Sequence, residues 1–334
     1  MKIEVLDCTL RDGGYVNDWH FGDENAKQIV NQLSQTGVDY VEVGFIKLCD
    51  YVADKIQFCD MNQIAKLFRP SKQKLSLIVE VGYGYPVTSF PERNENTVDL
   101  VRVIMWKRML DKGFDYCKEL IAKGYEVGIQ ATRTEQYSDE EFVAFVEKFS
   151  ELSPKSLYIV DTFGLLTEEK LLNYASIADN HLGDNIMLGY HAHNNMQQAF
   201  SNAVAMSKHS WNHDIMLDGS VLGMGRGAGN LPLELYLKYL NESHHENYNI
   251  EPLFDIADKY IMPFYRKSPW GYSMPYLLSA INGRNPSYVA HLVAKGLTIP
   301  QIEKVFKTMK ANDVGITFDL EMCDKIVDEI VAHS

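Results

Sequence analysis

Nowhere in these 334 residues does an apolar run approach the roughly 18 residues of a bilayer-crossing helix. The amino terminus, MKIEVLDCTL, has the form of a strand and not of a signal peptide. Basic excess is also missing. A formal charge of −13 argues against nucleic acid and against docking on anionic membranes. It does not exclude an anionic substrate, because a metal and a few arginines dominate a site locally. The five cysteines (Cys8, Cys49, Cys59, Cys117, Cys323) are odd in number and show no CxxC spacing. They read as reduced thiols of a cytoplasmic protein. No GxGxxG follows the first strand, which weakens a Rossmann-like reading. There is no low-complexity linker, charged tail or internal repeat. What is present, 46% hydrophobic and 23% charged residues, suits a globular protein with a sizeable core.

Short β-branched runs alternate with amphipathic stretches up to about residue 245. Eight strands are expected: 3–8, 38–45, 75–81, 98–105, 125–131, 156–162, 185–193 and 213–221. Helical patterns such as ENAKQIVNQLSQTG, MLDKGFDYCKELIAKG and SDEEFVAFVEKFSEL fill the gaps. Ser138 and Glu141 have capping-box spacing, and Gly37 and Gly124 stand where C′ glycines would. Strict β/α alternation with eight units predicts an α/β fold, a (β/α)8 TIM barrel over residues 1–250. Past that point the strand signal stops, and residues 251–334 read as a helical carboxy-terminal extension.

Three segments carry candidate chemistry. His191-Ala-His193 closes the seventh strand. Residues i and i+2 of a strand share a face, so two imidazoles project together at the end where barrels place their sites. Alone, the pair is equally compatible with core or surface histidines. Arg11-Asp12-Gly13-Gly14 follows the first strand, which barrel closure brings within two strands of the histidines. Asp12 with two imidazoles makes a facial set for a divalent metal, and Arg11 offers a cation for a developing oxyanion. A surface ion pair ahead of a glycine turn is the plain alternative. The run from Asp218 to Asn230 is glycine-rich, in the region where many barrels bind phosphate. Gly225 and Gly227 would let the backbone approach a substrate, and Asn230 could add an amide oxygen to the metal.

LDCTLRDGG, GYHAHNN and GMGRGAGN, in this order and at these strands, resemble the DRE-TIM metallolyase superfamily. That superfamily includes 4-hydroxy-2-oxovalerate aldolase, hydroxymethylglutaryl-CoA lyase, and the isopropylmalate and homocitrate synthases. The chain looks most similar to the 4-hydroxy-2-oxovalerate aldolase type over about residues 1–240. The resemblance implies Mn²⁺ or Mg²⁺ on Asp12, His191 and His193, with Asn230 matching the asparagine that completes the sphere in the lyase branch. It implies that Arg11 steadies an enolate oxygen. It also implies that Glu42 is an acidic residue able to orient Arg11 or a metal-bound water, though an ion pair at the core edge would look the same.

The expected function is metal-dependent aldol cleavage or formation next to a small 2-keto acid, through a pyruvate-type enolate. A Claisen-type acyl-CoA condensing enzyme and a non-catalytic metal-binding barrel are the alternatives. The resembling aldolases also raise a dehydrogenase partner, and homo-oligomers are equally open.

One departure bears on the proton-handling group. Those aldolases carry a histidine three residues after the metal-binding aspartate, where this chain has Tyr15. The assisting tyrosine of their carboxy-terminal domain is absent from Gly283-Arg284-Asn285-Pro286. Tyr15 is expected to reach into the cavity as a hydrogen-bond donor, with His20 as the titrating partner. Tyr288 in the helical extension is a third candidate for meeting the substrate.

Overall fold

The computed structural model describes residues 1–69, 73–82 and 84–332. Eight parallel strands form its centre: β1 (Ile3–Asp7), β2 (Tyr40–Ile46), β3 (Lys74–Glu80), β4 (Leu100–Met105), β5 (Glu126–Thr132), β6 (Ser156–Asp161), β7 (Met187–Ala192) and β8 (Ile215–Gly219). Each lies within one expected stretch or starts and ends a residue or two from it. β1 pairs with both β2 and β8, so the sheet closes into the (β/α)8 barrel. A two-residue strand, Gln57–Phe58, adds to the outer end of β2.

The strands are buried on both faces, the condition under which a parallel strand reads as nearly continuous Val, Ile and Leu. Helices cover the outside through one apolar face each. In the helix Asp139–Ser150 that face is Phe142, Phe145, Val146 and Phe149, and the Ser138–Glu141 capping box starts it as expected. Gly124 follows the helix Leu110–Ala122 and its C-cap with φ +88°, the C′ position foreseen. Gly37 has φ +91° but lies farther on, because the chain makes another turn after Leu33.

Inside the barrel, a small cluster that includes Leu6, Tyr40, Leu100, Met187 and Met216 plugs the axis. Toward the carboxy-terminal ends of the strands, the inward positions turn polar: Glu42, Arg102, Gln130, His191 and Asp218, all buried. A packed plug below and a charged layer above are what hold the site.

The regular structure of the carboxy-terminal segment is helical, as expected. Glu251–Ile256 and Met262–Lys267 are joined by a wider π turn at Ala257–Ile261. Pro263 has no N–H to give back to the preceding turn, and a widened turn is one way to accommodate that. Leu253, Ile256, Ile261 and Trp270 belong to the barrel's own hydrophobic cluster. A separate cluster begins at Leu278 and runs through Phe306 to Val327. The packing division therefore falls some twenty residues after the 250/251 boundary expected from loss of strand signal. The last expected helix is described as Leu320–Ala332, and the final two residues lie outside the described part. Among the described residues no helix is long and apolar enough to cross a membrane.

Candidate metal centre

Strand alternation sends His191 and His193 to the barrel's inner face, where their rings meet edge-on with centroids 5.2 Å apart. Asp12 comes from the turn Thr9–Asp12 directly after β1. Its Oδ2 lies 3.6 Å from His191 Nε2 and 3.8 Å from His193 Nδ1. One ligand atom from each of the three residues falls within 4.8 Å of the others, and all three residues are buried. Asp12 Oδ2 and His193 Nδ1 have no hydrogen-bond partner, and neither does the buried Oδ1 of Asn230. Asn230 forms a β-bridge with His193, and its Nδ2 donates to Met224 O at 3.3 Å, which leaves the oxygen as its free end. A buried polar atom without a partner costs about 1–3 kcal/mol. Unpartnered Asp12 Oδ2 and His193 Nδ1, set close beside His191, are what a divalent cation would satisfy, and two imidazoles with an oxygen donor suit such an ion. The residues fit the metal.

The loop that delivers Asp12 is fixed by close packing. A Cβ on Gly14 would come within 2.2 Å of the Trp19 indole, so only glycine lets the turn fold under that ring. Trp19 Nε1 then donates to the carbonyl of Arg11 at 2.8 Å. The Gly-Gly turn is thus a packing device for the pair before it, not a surface feature.

A chain of buried charges orients everything else. Arg11 donates through Nε to Glu42 Oε2 at 2.6 Å and through Nη1 to Asp12 Oδ1 at 3.0 Å. Arg102 donates through Nη1 to the same Glu42 oxygen at 2.9 Å and through Nη2 to Asp218 Oδ2. Asp218 Oδ2 accepts from His191 Nδ1 at 2.8 Å. That bond places the imidazole proton on Nδ1 and leaves the Nε2 lone pair facing Asp12, ready for a cation. Glu42 therefore orients Arg11, one of the two roles expected for it. With His191 neutral, three carboxylates against two guanidinium groups leave the network one negative charge.

The two histidines titrate differently. Burial pushes His193 down to about 3, so it is neutral at any ordinary pH. Burial also works against a charged His191, but the carboxylates of Asp12 and Asp218 on either side of the ring outweigh it and raise its pKa above 6.5. Wherever His191 carries its second proton a cation must displace it, and His193 has none to give. Binding should weaken as pH falls through a point above 6.5, and the loss should follow one proton. Metal titrations in buffers of different ionisation enthalpy measure this, and release of two protons per ion would contradict it.

A cavity enclosing about 90 Å³ opens above the cluster. Arg11, Asp12, Tyr15, His191 and His193 line it, as expected, together with Glu80, Trp106, Gln130 and Arg226. Tyr15 is 40% exposed as a residue, but its hydroxyl is the enclosed end. Burial there raises the hydroxyl pKa above 10 despite the pull of Arg226, which lies over the ring at 5.3 Å. Tyr15 is a donor, not a base.

The other candidates stand apart. His20 is exposed, does not line the cavity, and its nearest ionic neighbour is Asp18 at 3.7 Å. Tyr288 is buried in the extension, where its hydroxyl donates to Thr317 O and accepts from Asp319 N, both at 2.7 Å. Gly225 and Gly227 line an adjoining pocket of about 160 Å³ that shares Tyr15 and Arg226 with the cavity. Gly227 has φ +69°, and a Cβ there would reach Asn195 Oδ1 at 2.7 Å. Asn195, from the GYHAHNN motif, accepts from Ala228 N and pins this loop over the site.

The sequence reading missed Arg102, Asp218, Glu80, Arg226 and Asn195 as site residues. One signal was available: a lone arginine amid the apolar run VDLVRVIM.

Comparison with known proteins gives the family. The model of the HMGL-like family matches residues 2–259, over three quarters of the chain. An oxaloacetate decarboxylase from Mycobacterium tuberculosis is 24% identical over 299 residues, covering 87% of this chain and 85% of its own. A 4-hydroxy-2-oxovalerate aldolase from Geobacillus genomosp. 3 is 25% identical over 303 residues, covering 88% and 87%. The crystal structure of hydroxymethylglutaryl-CoA lyase from Pseudomonas aeruginosa superposes with a TM-score of 0.61 at 16% identity. It covers 88% of this chain and 97% of that one, and at this identity it speaks for the fold alone. With the family model spanning the whole barrel, the chain belongs to the HMGL-like family of DRE-TIM metallolyases and is an enzyme of its carbon–carbon lyase type.

Proposed function

We propose that this enzyme makes or breaks the carbon–carbon bond next to the carbonyl of a small 2-keto acid, in the manner of a 4-hydroxy-2-oxovalerate aldolase, with Mn²⁺ or Mg²⁺ on Asp12, His191 and His193. The observation that carries this is the Asp12–His191–His193 cluster, with Asp12 Oδ2 and His193 Nδ1 unpartnered, beside a fixed arginine in a small cavity. A divalent ion held there supplies Lewis-acid polarisation of a keto oxygen. Arg11 supplies the complementary cation. Two of its nitrogens are spent on Glu42 and Asp12, while Nη2 makes no hydrogen bond among the described residues and the side chain lines the cavity. It can meet an oxygen as negative charge develops on it, at no cost in reorganisation.

Charge and size support a small acid. The network's single net negative charge becomes positive with a divalent ion, which a monoanionic keto acid would neutralise. Arg226, whose buried Nε has no partner, adds a second cation at the cavity wall. About 90 Å³ beside the cluster is room for the reacting end of a three- or four-carbon acid. Both curated relatives are named for reactions of 2-keto acids, a decarboxylation and an aldol cleavage, and both can pass through a pyruvate-type enolate.

In heavy water with Mn²⁺, the protein should exchange the methyl protons of pyruvate for deuterium without any thioester. Arg11→Ala should slow this exchange by about 10²–10³-fold, the usual effect of losing one oxyanion contact. Exchange that appears only with added acyl-CoA would replace this reading with the condensing-enzyme alternative.

A further inference from the structure

Aldol chemistry needs a group that takes or gives the proton on the substrate's alcohol oxygen, and the usual histidine position here holds Tyr15. The cavity wall narrows the choice. Asp12, His191 and His193 form the metal cluster, and Glu42 and Asp218 are locked onto arginines. Tyr15 keeps its proton, and His20 lies outside the cavity. Among the described residues that line the cavity, one carboxyl remains uncommitted.

Glu80 closes β3, where the inward alternation of Ser76 and Ile78 brings its carboxyl to the top of the barrel. It lines the same cavity as Asp12, His191 and His193. Its Oε1 accepts from Trp106 Nε1 at 2.6 Å, a neutral bond that holds the group in place without neutralising it. Oε2 makes no hydrogen bond, and the carboxylate enters no ion pair among the described residues. The charged or titratable groups acting around it are Arg226, Arg108 and the hydroxyl of Tyr15. Burial raises its pKa above 4.5, with the Trp106 bond and the two arginines pulling the other way. A carboxyl shifted in that direction moves toward the range where one group can serve as both acid and base.

We propose that Glu80 is the catalytic acid–base residue of this site, exchanging the proton with the alcohol oxygen of the bond-cleaving half of the substrate. The inference rests on the aldolase reading above. In cleavage, the Glu80 carboxylate takes the proton from the C4 hydroxyl. The oxygen's electron pair forms the aldehyde C=O, and the C3–C4 bonding pair passes to C3 to give the pyruvate enolate. In condensation the carboxylic acid returns that proton to the aldehyde oxygen as the C3–C4 bond forms. Tyr15, as a donor, orients the same oxygen.

Decarboxylation of oxaloacetate separates this role from the enolate machinery, because loss of CO₂ forms the same enolate with no hydroxyl proton to remove. The test compares wild type with Glu80→Gln, whose amide oxygen still accepts from Trp106 but cannot take a proton. Two reactions are followed with Mn²⁺: decarboxylation of oxaloacetate, and condensation of pyruvate with acetaldehyde, glycolaldehyde and glyceraldehyde. Glu80→Gln should lose condensation by about 10²–10⁴-fold while decarboxylation stays essentially unchanged. Retention of condensation by the variant would remove Glu80 from the chemistry. Equal loss of both reactions would show that it only supports Trp106. If wild type decarboxylates but condenses none of the aldehydes, the aldolase reading itself fails and this role with it.

Discussion

The double variant His191→Ala/His193→Ala is expected to purify without divalent metal, under conditions where the wild type retains about one equivalent. Removing both imidazoles takes two of three close-set donors and leaves Asp12, whose Oδ1 accepts from Arg11. A single carboxylate already paired with a guanidinium has little affinity for a hard cation, so the loss should be complete rather than graded. Thermal unfolding gives an independent measure. Excess Mn²⁺ stabilises a protein that binds it only when folded, by about 2.7 kcal/mol at 100 times the dissociation constant. Wild type should show that gain and the double variant should not. Asn230→Ala should weaken binding less, since it removes only the oxygen next to His193. Elemental analysis showing unchanged metal in the double variant would move the site elsewhere.

Why this cluster could be read from sequence while its supports could not is a matter of range. His191 and His193 are two apart on one strand, and Asp12 follows the strand two places away around the barrel, so period-two alternation and closure suffice. The eight strands were visible for the same local reason. Arg102, by contrast, meets Glu42 across 60 residues and Asp218 across 116. Those meetings depend on strand register around the whole barrel, which no local pattern carries. Asp218 stood in a noted glycine-rich motif, yet nothing nearby shows that its carboxylate reaches back to His191. Tyr288 illustrates the opposite error. A hydroxyl in a helical extension looks available, but its two bonds to residues some thirty positions on are tertiary facts. His20 sits only eight residues after Asp12, and two residues with positive φ, Asp18 and Trp19, intervene before it. Proximity in sequence did not survive that turn.

Arg102→Met should be among the most destabilising single changes in the barrel. Arg102 is fully buried, its guanidinium stacks over the Tyr158 ring at 4.6 Å, and its nitrogens reach Glu42, Asp218 and Gln130. Removing it leaves two carboxylates facing each other's field in a closed interior, with Arg11 as the guanidinium left near them among the described residues. Breaking a buried ion pair from one side costs about 3–5 kcal/mol, because the surviving charge stays buried. Denaturant unfolding should show a loss of that size. Metal affinity should fall as well, by about 10–100-fold, because Asp218 sets the proton position and ring angle of His191. The two effects can be separated by adding Glu42→Gln and Asp218→Asn to Arg102→Met. Neutralising both stranded carboxylates should restore much of the stability, since the penalty is one of uncompensated charge and not of lost volume. It should not restore metal binding, because an amide no longer holds His191 as the carboxylate does and Arg11 loses its anionic anchor. If Arg102→Met unfolds within about 1 kcal/mol of wild type, the charged layer is not what holds this barrel's upper end. If the triple variant binds metal like wild type, the orientation of His191 owes nothing to Asp218.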